Sequence, residues 1–250
     1  IFVVSVSPAG AYTWHTFYGG ENTDWANDIS YWNSGIYVLM TSLFAWNGPA
    51  GQPPLNAYVG NREIVILKLI ASGVYQWHTF WGSYLSDSGS RLIQYSNGDL
   101  FISAISNANW LGANNADPLH THSSGENNAD FTILKLDSNG SYLWHTFYGS
   151  DGEDYGYGMT FDFPGNLILV GNSTQTFLGV GNTPPRYDPA DPAITTYLCV
   201  LSLTTQGNYN WHTFYGGAGW NGAYDVTVDT MHNLYVVGAN YNSFTGPAGQ

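Results

Sequence analysis

A chain of 250 residues is long enough for one large all-β domain, or two small ones, with a substantial buried core. Charged residues make up only 9% of it, and 18 acidic against 5 basic side chains give a formal net charge of −13, which disfavours nucleic acid and anionic membrane surfaces as partners. Its 10 Trp, 19 Tyr and 12 Phe exclude a disordered chain of high charge and low aromatic content.

One motif recurs along the chain. Trp-His-Thr-Phe begins at positions 14, 77, 144 and 211, so that successive copies lie 63, 67 and 67 residues apart. A glycine lies four residues before each Trp, a tyrosine two before it and a second glycine five after it. A fixed period of this length indicates a repeat architecture. Because the shared residues are mainly glycines and large aromatics, the motif predicts a fold and leaves activity open.

Each copy is predicted to contain four short strands, which we call A to D, without helical periodicity. In the first complete copy these strands span 26–32, 36–42, 64–70 and 74–80. Turns rich in Asn and Gly join A to B and C to D, which makes neighbouring strands antiparallel. Each copy is therefore predicted to be a four-stranded meander.

Strand C is apolar on both faces, as the segments 64–69, 131–136 and 198–203 show. Burial on both faces occurs when small sheets stack face to face around an axis. We therefore predict an all-β fold, a β-propeller of four-stranded antiparallel blades. The repeated Trp and Tyr of strand D would fill the wedge between neighbouring blades.

The two ends of the chain each supply half a blade. Residues 1–19 contain strands C and D, residues 217–250 contain A and B, and the complete blades are 20–82, 83–149 and 150–216. Joining the halves would pair both open edges and give a single domain, 1–250, with four blades, the last completed by the N-terminal strands. Alternatively, residues 1–19 could complete the blade of a neighbouring copy, which yields a fibre.

Three segments, 133–137, 140–149 and 229–238, contain a Gly turn before the Trp motif and an Asp followed by a tight hairpin that ends at Gly. They resemble the SBBP family of β-propeller repeats, and the resemblance covers nearly the whole chain. It implies a bacterial or archaeal secreted or surface protein without a uniform activity, and it transfers no catalytic residue. The many Asn, Gly, Ser and Thr residues and the scarcity of Lys also favour an extracellular or cell-surface location.

Cys199 is the only cysteine, which excludes an intrachain disulfide, and the repeat register places it at a core position of strand C.

No apolar stretch approaches the roughly 20 residues that a membrane span needs. Without an initiator Met or a signal sequence, we expect a mature chain or a fragment.

An oxygen-bearing side chain lies ten residues after each repeated Trp, at the start of strand A. These residues are Asp24, Asp87, Asp154 and Asn221. In a propeller they would ring the axis on the face with the long loops, and Ca²⁺ prefers such carboxylate and amide oxygens. The alternative is that each residue caps a tight turn through the local backbone.

The loops between strands B and C are about twenty residues long, which marks their rim as the working face. They contain the aromatic residues Phe44, Trp46, Trp110, Phe177 and Phe244. Exposed rings beside amide side chains suit sugars or a protein partner, but they could equally fix the loops to the blades.

The repeated histidines lie on the outermost strands of four different blades, so they cannot meet at one metal, and we interpret them as surface or interblade hydrogen-bonding groups. His120 and His122, near Asp117 and Glu126, are candidates for a peripheral Zn²⁺ or Cu²⁺ site.

Common enzyme motifs are absent from the sequence. The carboxylate clusters Glu21, Asp24, Asp28 and Asp151, Glu153, Asp154 leave a glycoside hydrolase as a minor alternative.

Taken together, the sequence favours a non-enzymatic extracellular or cell-surface propeller that acts as a structural or adhesive unit. Its expected partners are other copies of itself, or glycans and proteins of a surface. A carbohydrate-binding, lectin-like module is the alternative.

Overall fold

The computed structural model describes residues 1–123, 127–189 and 191–247, and it is an all-β structure. Sixteen strands make up the described fold, joined in part by two short 3₁₀ turns at Ala113–Asn115 and Val180–Asn182. The strands are β1 (Phe2–Val6), β2 (Tyr12–Phe17), β3 (Asp24–Trp32), β4 (Gly35–Ser42), β5 (Glu63–Ile70), β6 (Tyr75–Trp81), β7 (Asp87–Gln94), β8 (Leu100–Ser106), β9 (Asp130–Leu136), β10 (Tyr142–Tyr148), β11 (Asp154–Phe161), β12 (Leu167–Ser173), β13 (Tyr197–Leu203), β14 (Tyr209–Tyr215), β15 (Asn221–Val228) and β16 (Leu234–Asn240).

The strands form five sheets in which neighbours along the chain are neighbours in space. Three sheets have four strands each, β3 to β6, β7 to β10 and β11 to β14, and two have two strands each, β1–β2 and β15–β16. The predicted meander of strands A to D is confirmed, with strand ends within two residues of the prediction in the first copy. Closure of a fourth blade is not seen, since the two hairpins are separate sheets, and the closed four-bladed ring stays a prediction.

The chain divides into two compact units. Unit 1 comprises Ile1–Ile102 with Lys135–Leu143, and unit 2 comprises Ser103–Leu134 with Trp144–Gln250. In unit 1, strand A of the second blade, β7, packs against β3, β4 and β5 of the first. In unit 2, β15 packs against β11, β12 and β13 in the same manner. In both cases strand A covers strands A to C of the preceding blade.

Each unit has a buried apolar core between neighbouring blades. In unit 1 it includes Val38, Met40, Val65 and Leu67, and β1 adds Val3. In unit 2, Ile168, Val170 and Val200 pack against Ala223 and Val226 of β15. The prediction that strand C is buried on both faces is confirmed in the complete blades, where Ile64 to Leu67, Ile133 and Leu134 are fully covered.

The motif glycine and the motif Trp contact each other across neighbouring blades. A side chain at Gly73 would lie 2.8 Å from the Trp14 ring, and one at Gly140 would lie 3.0 Å from the Trp77 ring, both in unit 1. Gly207 has the same relation to Trp144 in unit 2. These glycines have φ of +82° to +85° at Gly207, Gly73 and Gly140, a region that also disfavours any other residue. Close approach of the ring thus explains why the two residues recur together.

Candidate functional site

The side chains that follow the motif by ten residues close equivalent turns. Each accepts a hydrogen bond from the backbone N–H four residues earlier. The pairs are Gly20 and Asp24 at 2.9 Å, Ser83 and Asp87 at 2.6 Å, Ser150 and Asp154 at 2.7 Å, and Gly217 and Asn221 at 3.0 Å. The turn-capping interaction considered from the sequence is therefore present at all four positions.

Three or more His, Cys, Asp or Glu side chains do not come together as a metal-binding group in residues 1–123, 127–189 and 191–247. Calcium binding by Asp24, Asp87, Asp154 and Asn221 thus stays a prediction. Glu126, one member of the suggested zinc or copper site, lies outside the described residues. His120 Nδ1 lies 3.1 Å from the Phe147 carbonyl and His122 Nε2 lies 2.9 Å from the Ser106 carbonyl, so each ring bonds the backbone.

Two of the turn carboxyls are fully buried, each beside a second buried acid that sequence reasoning missed. Asp87 lies near Glu63, and Asp154 lies near Asp130. Burial, reinforced by the neighbouring acid, raises the pKa of Asp87 and of Asp154 to about 7. Burial also raises the pKa of Glu63 to about 7, against the backbone hydrogen bonds from Gly60 and Val59. The sequence signal for these second acids was an acidic residue, Glu63 or Asp130, at the start of an otherwise apolar strand C.

The pair in unit 2 is the more crowded. A Cβ atom at Gly149 would lie 2.5 Å from Asp130 Oδ1 and 2.7 Å from Asp154 Oδ2. The Ser123 hydroxyl and backbone N–H each donate to Asp130 Oδ2 at 2.7 Å, and His122 Nδ1 lies 3.8 Å from the same oxygen. Both carboxyl groups are fully buried beside the same glycine, so they form one acidic cluster next to the His122 imidazole.

Two other carboxylates proposed from the sequence, Glu153 and Asp28, form hydrogen bonds or an ion pair with nearby residues. Glu153 accepts hydrogen bonds from the Tyr155 hydroxyl at 2.7 Å and from the Ala129 N–H at 3.3 Å. Asp28 accepts one from the Leu92 N–H at 2.8 Å, and its carboxylate lies 3.5 Å from Arg91 Nε. Their contacts are those of groups that position loops and strands.

The predicted ligand-contact rings fall into two groups. Trp46, Trp110 and Phe177 are buried, with 7%, 6% and 8% of their surface exposed, whereas Phe44 and Phe244 expose 49% and 41%. The buried rings hold their loops against the blades, as the alternative interpretation anticipated. Phe44 and Phe244 remain the two rings that a ligand could reach.

Each buried ring is stacked on a motif histidine of its own blade. Trp46 lies 3.8 Å from His78 with planes 9° apart, Trp110 lies 3.8 Å from His145 at 6°, and Phe177 lies 4.9 Å from His212 at 5°. The interpretation of these three histidines as surface or interblade groups is wrong, because each is fully buried and bonds within its blade.

The histidine contacts are the same in each complete blade. Nε2 lies 2.9 Å from the Trp46 carbonyl at His78, 3.0 Å from the Trp110 carbonyl at His145 and 2.8 Å from the Phe177 carbonyl at His212. Phe80, Phe147 and Phe214 each meet both the histidine and the loop ring edge-on. We call this arrangement of loop ring, histidine and motif Phe the histidine clamp. Because a carbonyl only accepts, Nε2 carries the hydrogen, and in the neutral ring Nδ1 accepts from the Tyr75 hydroxyl at His78 (2.8 Å).

The half blades leave apolar residues uncovered at positions that are buried elsewhere. Val4 and Val6 of β1 are 49% and 61% exposed, whereas Leu67 and Leu69 at the equivalent positions of β5 are 0% exposed. In unit 1, two grooves of about 470 and 310 Å³ run between β1 and β3. On β16 in unit 2, Val237 is 63% exposed. Each half blade thus presents an unpaired strand with an apolar face.

No family model matches the chain, and no curated protein matches it, so the resemblance to the SBBP repeats stays a prediction. Within the part of the chain that the structure describes, no helix combines the length and apolarity needed to cross a bilayer.

Proposed function

We propose that the chain is a non-enzymatic structural unit of the extracellular space or cell surface that assembles with its own copies by completing the split blade. Strands β15 and β16 of one copy would join β1 and β2 of the next into a four-stranded sheet. Because the surface used at one end differs from the surface used at the other, the contact is heterologous and its repetition gives a fibre.

The single observation that supports this proposal most is the exposure of apolar strand residues that the repeat buries elsewhere. Tyr235 and Val237 of β16 are 56% and 63% exposed, whereas their equivalents on β12, Ile168 and Val170, are each 1% exposed. Burying such surface is favourable by about 25 cal/mol per Å². Adding strands to an open sheet edge also satisfies its free backbone groups.

The complete blades give the register of the proposed pairing. On β12 and β13, Ile168 pairs with Ser202 and Val170 pairs with Val200. By the repeat, Tyr235 would pair with Ser5 and Val237 with Val3 of the next copy. A shift of this register by one residue would place the side chains of Tyr235 and Val237 on the face opposite to Val3 and Ser5.

The contacts that join neighbouring blades are not made at the half blade of residues 1–19. Trp14 covers Gly73, and equivalent rings cover the two later motif glycines, but a side chain at Gly10 would meet nothing within 4 Å. Tyr18 packs on Tyr75 with ring centroids 6.1 Å apart, whereas Tyr12, at the position of Tyr75, is 63% exposed. A preceding copy would supply Trp211 for Gly10 and Tyr215 for Tyr12.

The grooves in unit 1 are where the missing strands belong. Strand A of a blade packs against strands A to C of the blade before it, as β7 does on β3, β4 and β5. By the same rule β3 would pack against β15, β16 and β1, and only β1 belongs to unit 1. The two grooves between β1 and β3 lie where this rule places the β15–β16 hairpin.

Site-specific cross-linking of two different variants tests the proposal. Ser5→Cys and Tyr235→Cys proteins should form a disulfide dimer only when mixed, because neither variant alone places both thiols at one joint. The pairing of Ser5→Cys with Met231→Cys, in the exposed turn before β16, serves as the control for random collision. Cys199 is buried and is kept in every variant.

Electron microscopy and light scattering of the parent protein should show linear assemblies that lengthen with concentration. A uniform 27.4 kDa particle at all concentrations, with cross-linking of the mixture no faster than in the control, would contradict the proposal. Closure within one chain would instead give that particle together with a rapid intramolecular disulfide in the Ser5→Cys, Tyr235→Cys double variant.

A further inference from the structure

We propose that the joint between two copies is locked by a fourth histidine clamp, in which Phe244 of one copy stacks on His15 of the next. The inference rests on the proposed assembly and names the side chains that hold it. It also makes the joint sensitive to pH.

The repeat register assigns both residues to the clamp. Phe244 follows Gly238 by six residues, as Phe177 follows Gly171, the equivalent residue of β12. His15 pairs with Val4 on the neighbouring strand, as His212 pairs with Leu201. Position by position, Phe244 therefore corresponds to the loop ring and His15 to the clamped histidine.

Half of the clamp is already formed at His15. The Tyr12 hydroxyl lies 3.0 Å from His15 Nδ1, as the Tyr75 hydroxyl lies 2.8 Å from His78 Nδ1. Phe17 meets the His15 ring edge-on, with centroids 5.3 Å apart and an angle of 82°. What the complete blades add is a ring stacked on the open face and a carbonyl opposite Nε2.

Phe244 offers both of these missing parts. Its ring is 41% exposed, against 8% for Phe177, and its own carbonyl corresponds to the Phe177 carbonyl that accepts from His212. His15 is exposed as well. Two aromatic faces that the repeat stacks in every complete blade thus both face solvent in the single chain.

The clamp requires a neutral imidazole, because its Nδ1 accepts and its surroundings are apolar. In the complete clamps, burial lowers the pKa of His78 and of His145 to about 4. A protonated His15 would therefore have to release its proton on joining, so acid opposes assembly. The half blade of residues 1–19 contains no Asp or Glu that could stabilise the cation; its titratable groups are Tyr12, Tyr18 and the N-terminal amine, which donates to the Tyr18 carbonyl at 2.7 Å.

The segment 217–250 of the preceding copy, which contains β15 and β16, has few charged residues. Its carboxylates are Asp225, on β15 opposite Val237, and Asp229, in the turn before β16, and its other titratable groups are His232, Tyr224, Tyr235 and Tyr241. At His212 burial lowers the pKa, and the hydrogen bond to the Phe177 carbonyl and the nearby Asp188 carboxylate oppose that shift without reversing it. In the joint, the Tyr12 hydroxyl is the polar group that faces Nδ1 of His15.

The test measures the critical concentration for assembly by light scattering, with the full chain and its variants. Phe244→Ala should raise it about three- to tenfold, the range expected for loss of one aromatic pair. Phe244→Trp, which installs the ring of the first two blades, should lower it. Phe44→Ala removes a loop ring of similar exposure, 49% against 41%, from a complete blade and should change nothing, which makes it the matched control.

The pH arm uses the same measurement at pH 7.5 and pH 5. The parent should assemble less readily at pH 5, and His15→Gln, whose amide does not titrate, should lose most of that difference. Circular dichroism of the unassembled variants controls for folding, since both substituted side chains are exposed there.

The outcomes separate the two proposals. Fibres that form normally in the parent and respond neither to Phe244→Ala nor to Phe244→Trp, with His15→Gln keeping the full pH difference, would overturn the clamp and leave strand completion intact. A parent protein that stays monomeric under all conditions would overturn strand completion and the clamp with it.

Discussion

At the scale of single residues, the fold raises the pKa of two buried turn carboxyls, Asp87 and Asp154, above the value that a carboxyl has in water. Asp154 accepts the Ser150 N–H and hydroxyl at 2.7 and 2.9 Å, contacts that favour the carboxylate. Burial and the nearby Asp130 outweigh them, so the pKa rises from the ordinary 3.8 to about 7. The conflict is absent between the third complete blade and β15, because Tyr197 and Asn221 occupy the equivalent positions.

The substitution Asp154→Asn should therefore make the protein less sensitive to alkali. Because the folded pKa lies above the unfolded one, the native state binds more protons between about pH 4 and 7, and the free energy of unfolding falls as pH rises through that window. Between pH 5 and 8 this one group should cost the parent roughly 2–3 kcal/mol that the variant retains. Urea unfolding at both pH values gives the comparison.

The amide has suitable partners, since Asn221 keeps the equivalent hydrogen bond from the Gly217 N–H and donates to the Thr196 carbonyl at 2.9 Å. The control is Asp24→Asn, at the same turn position but partly exposed, which tests whether an amide at this turn changes stability by itself. Equal pH dependence in the parent and Asp154→Asn proteins would show that Asp154 is ionised in the folded state.

At the scale of elements, the strands could be predicted from the sequence, while the contacts that fix the loops could not. Apolar periodicity and turn residues predicted β3 to β6 to within two residues, because local pattern determines which face of a strand is buried. The histidine clamp joins residues 35 apart, such as Trp110 and His145, and the pairing depends on how a long loop folds back. The common offset between loop ring and histidine, 35 residues in two of three blades, was the available signal.

Removal of one loop ring should loosen its loop and spare the blade. In Trp110→Ala, His145 loses its stacked neighbour at 3.8 Å and the Ser106 hydroxyl loses the indole N–H donor at 3.1 Å. Replacement of a buried Trp by Ala costs about 3–5 kcal/mol, and the loss should appear as faster proteolysis between β8 and β9. Limited proteolysis with mass spectrometry locates the cuts.

The matched variant is again Phe44→Ala, which removes an exposed ring from the corresponding loop of the first blade. It should leave the cleavage pattern as it is in the parent. Unchanged protection of the loop in Trp110→Ala would mean that the clamp does not hold it.

At the scale of the whole molecule, the repeat predicted the all-β class and the four-stranded blade, because each copy contains the same pattern of buried strands and tight turns. The closed ring and its partner could not be predicted in the same way. The two-stranded sheets β1–β2 and β15–β16 have the same sequences whether they pair within one chain or between chains. Pairing within one chain or between chains depends on geometry and on protein concentration. Val3 and Val237 would make the same contact in both cases, so their sequence positions do not distinguish the two.

A peptide of residues 1–19 should act as a chain terminator if copies assemble by strand completion. It contains β1 and β2, so it can pair with β16 of a growing end, yet it has no second edge from which the next copy could add. Added in molar excess, it should shorten fibres in electron micrographs without changing the circular dichroism of the folded chain. The same peptide with Val4 and Val6 replaced by Lys keeps its length but loses the apolar face, and it should have no effect. Fibre lengths that are unaffected by saturating peptide would show that the β16 edge is not the growing surface.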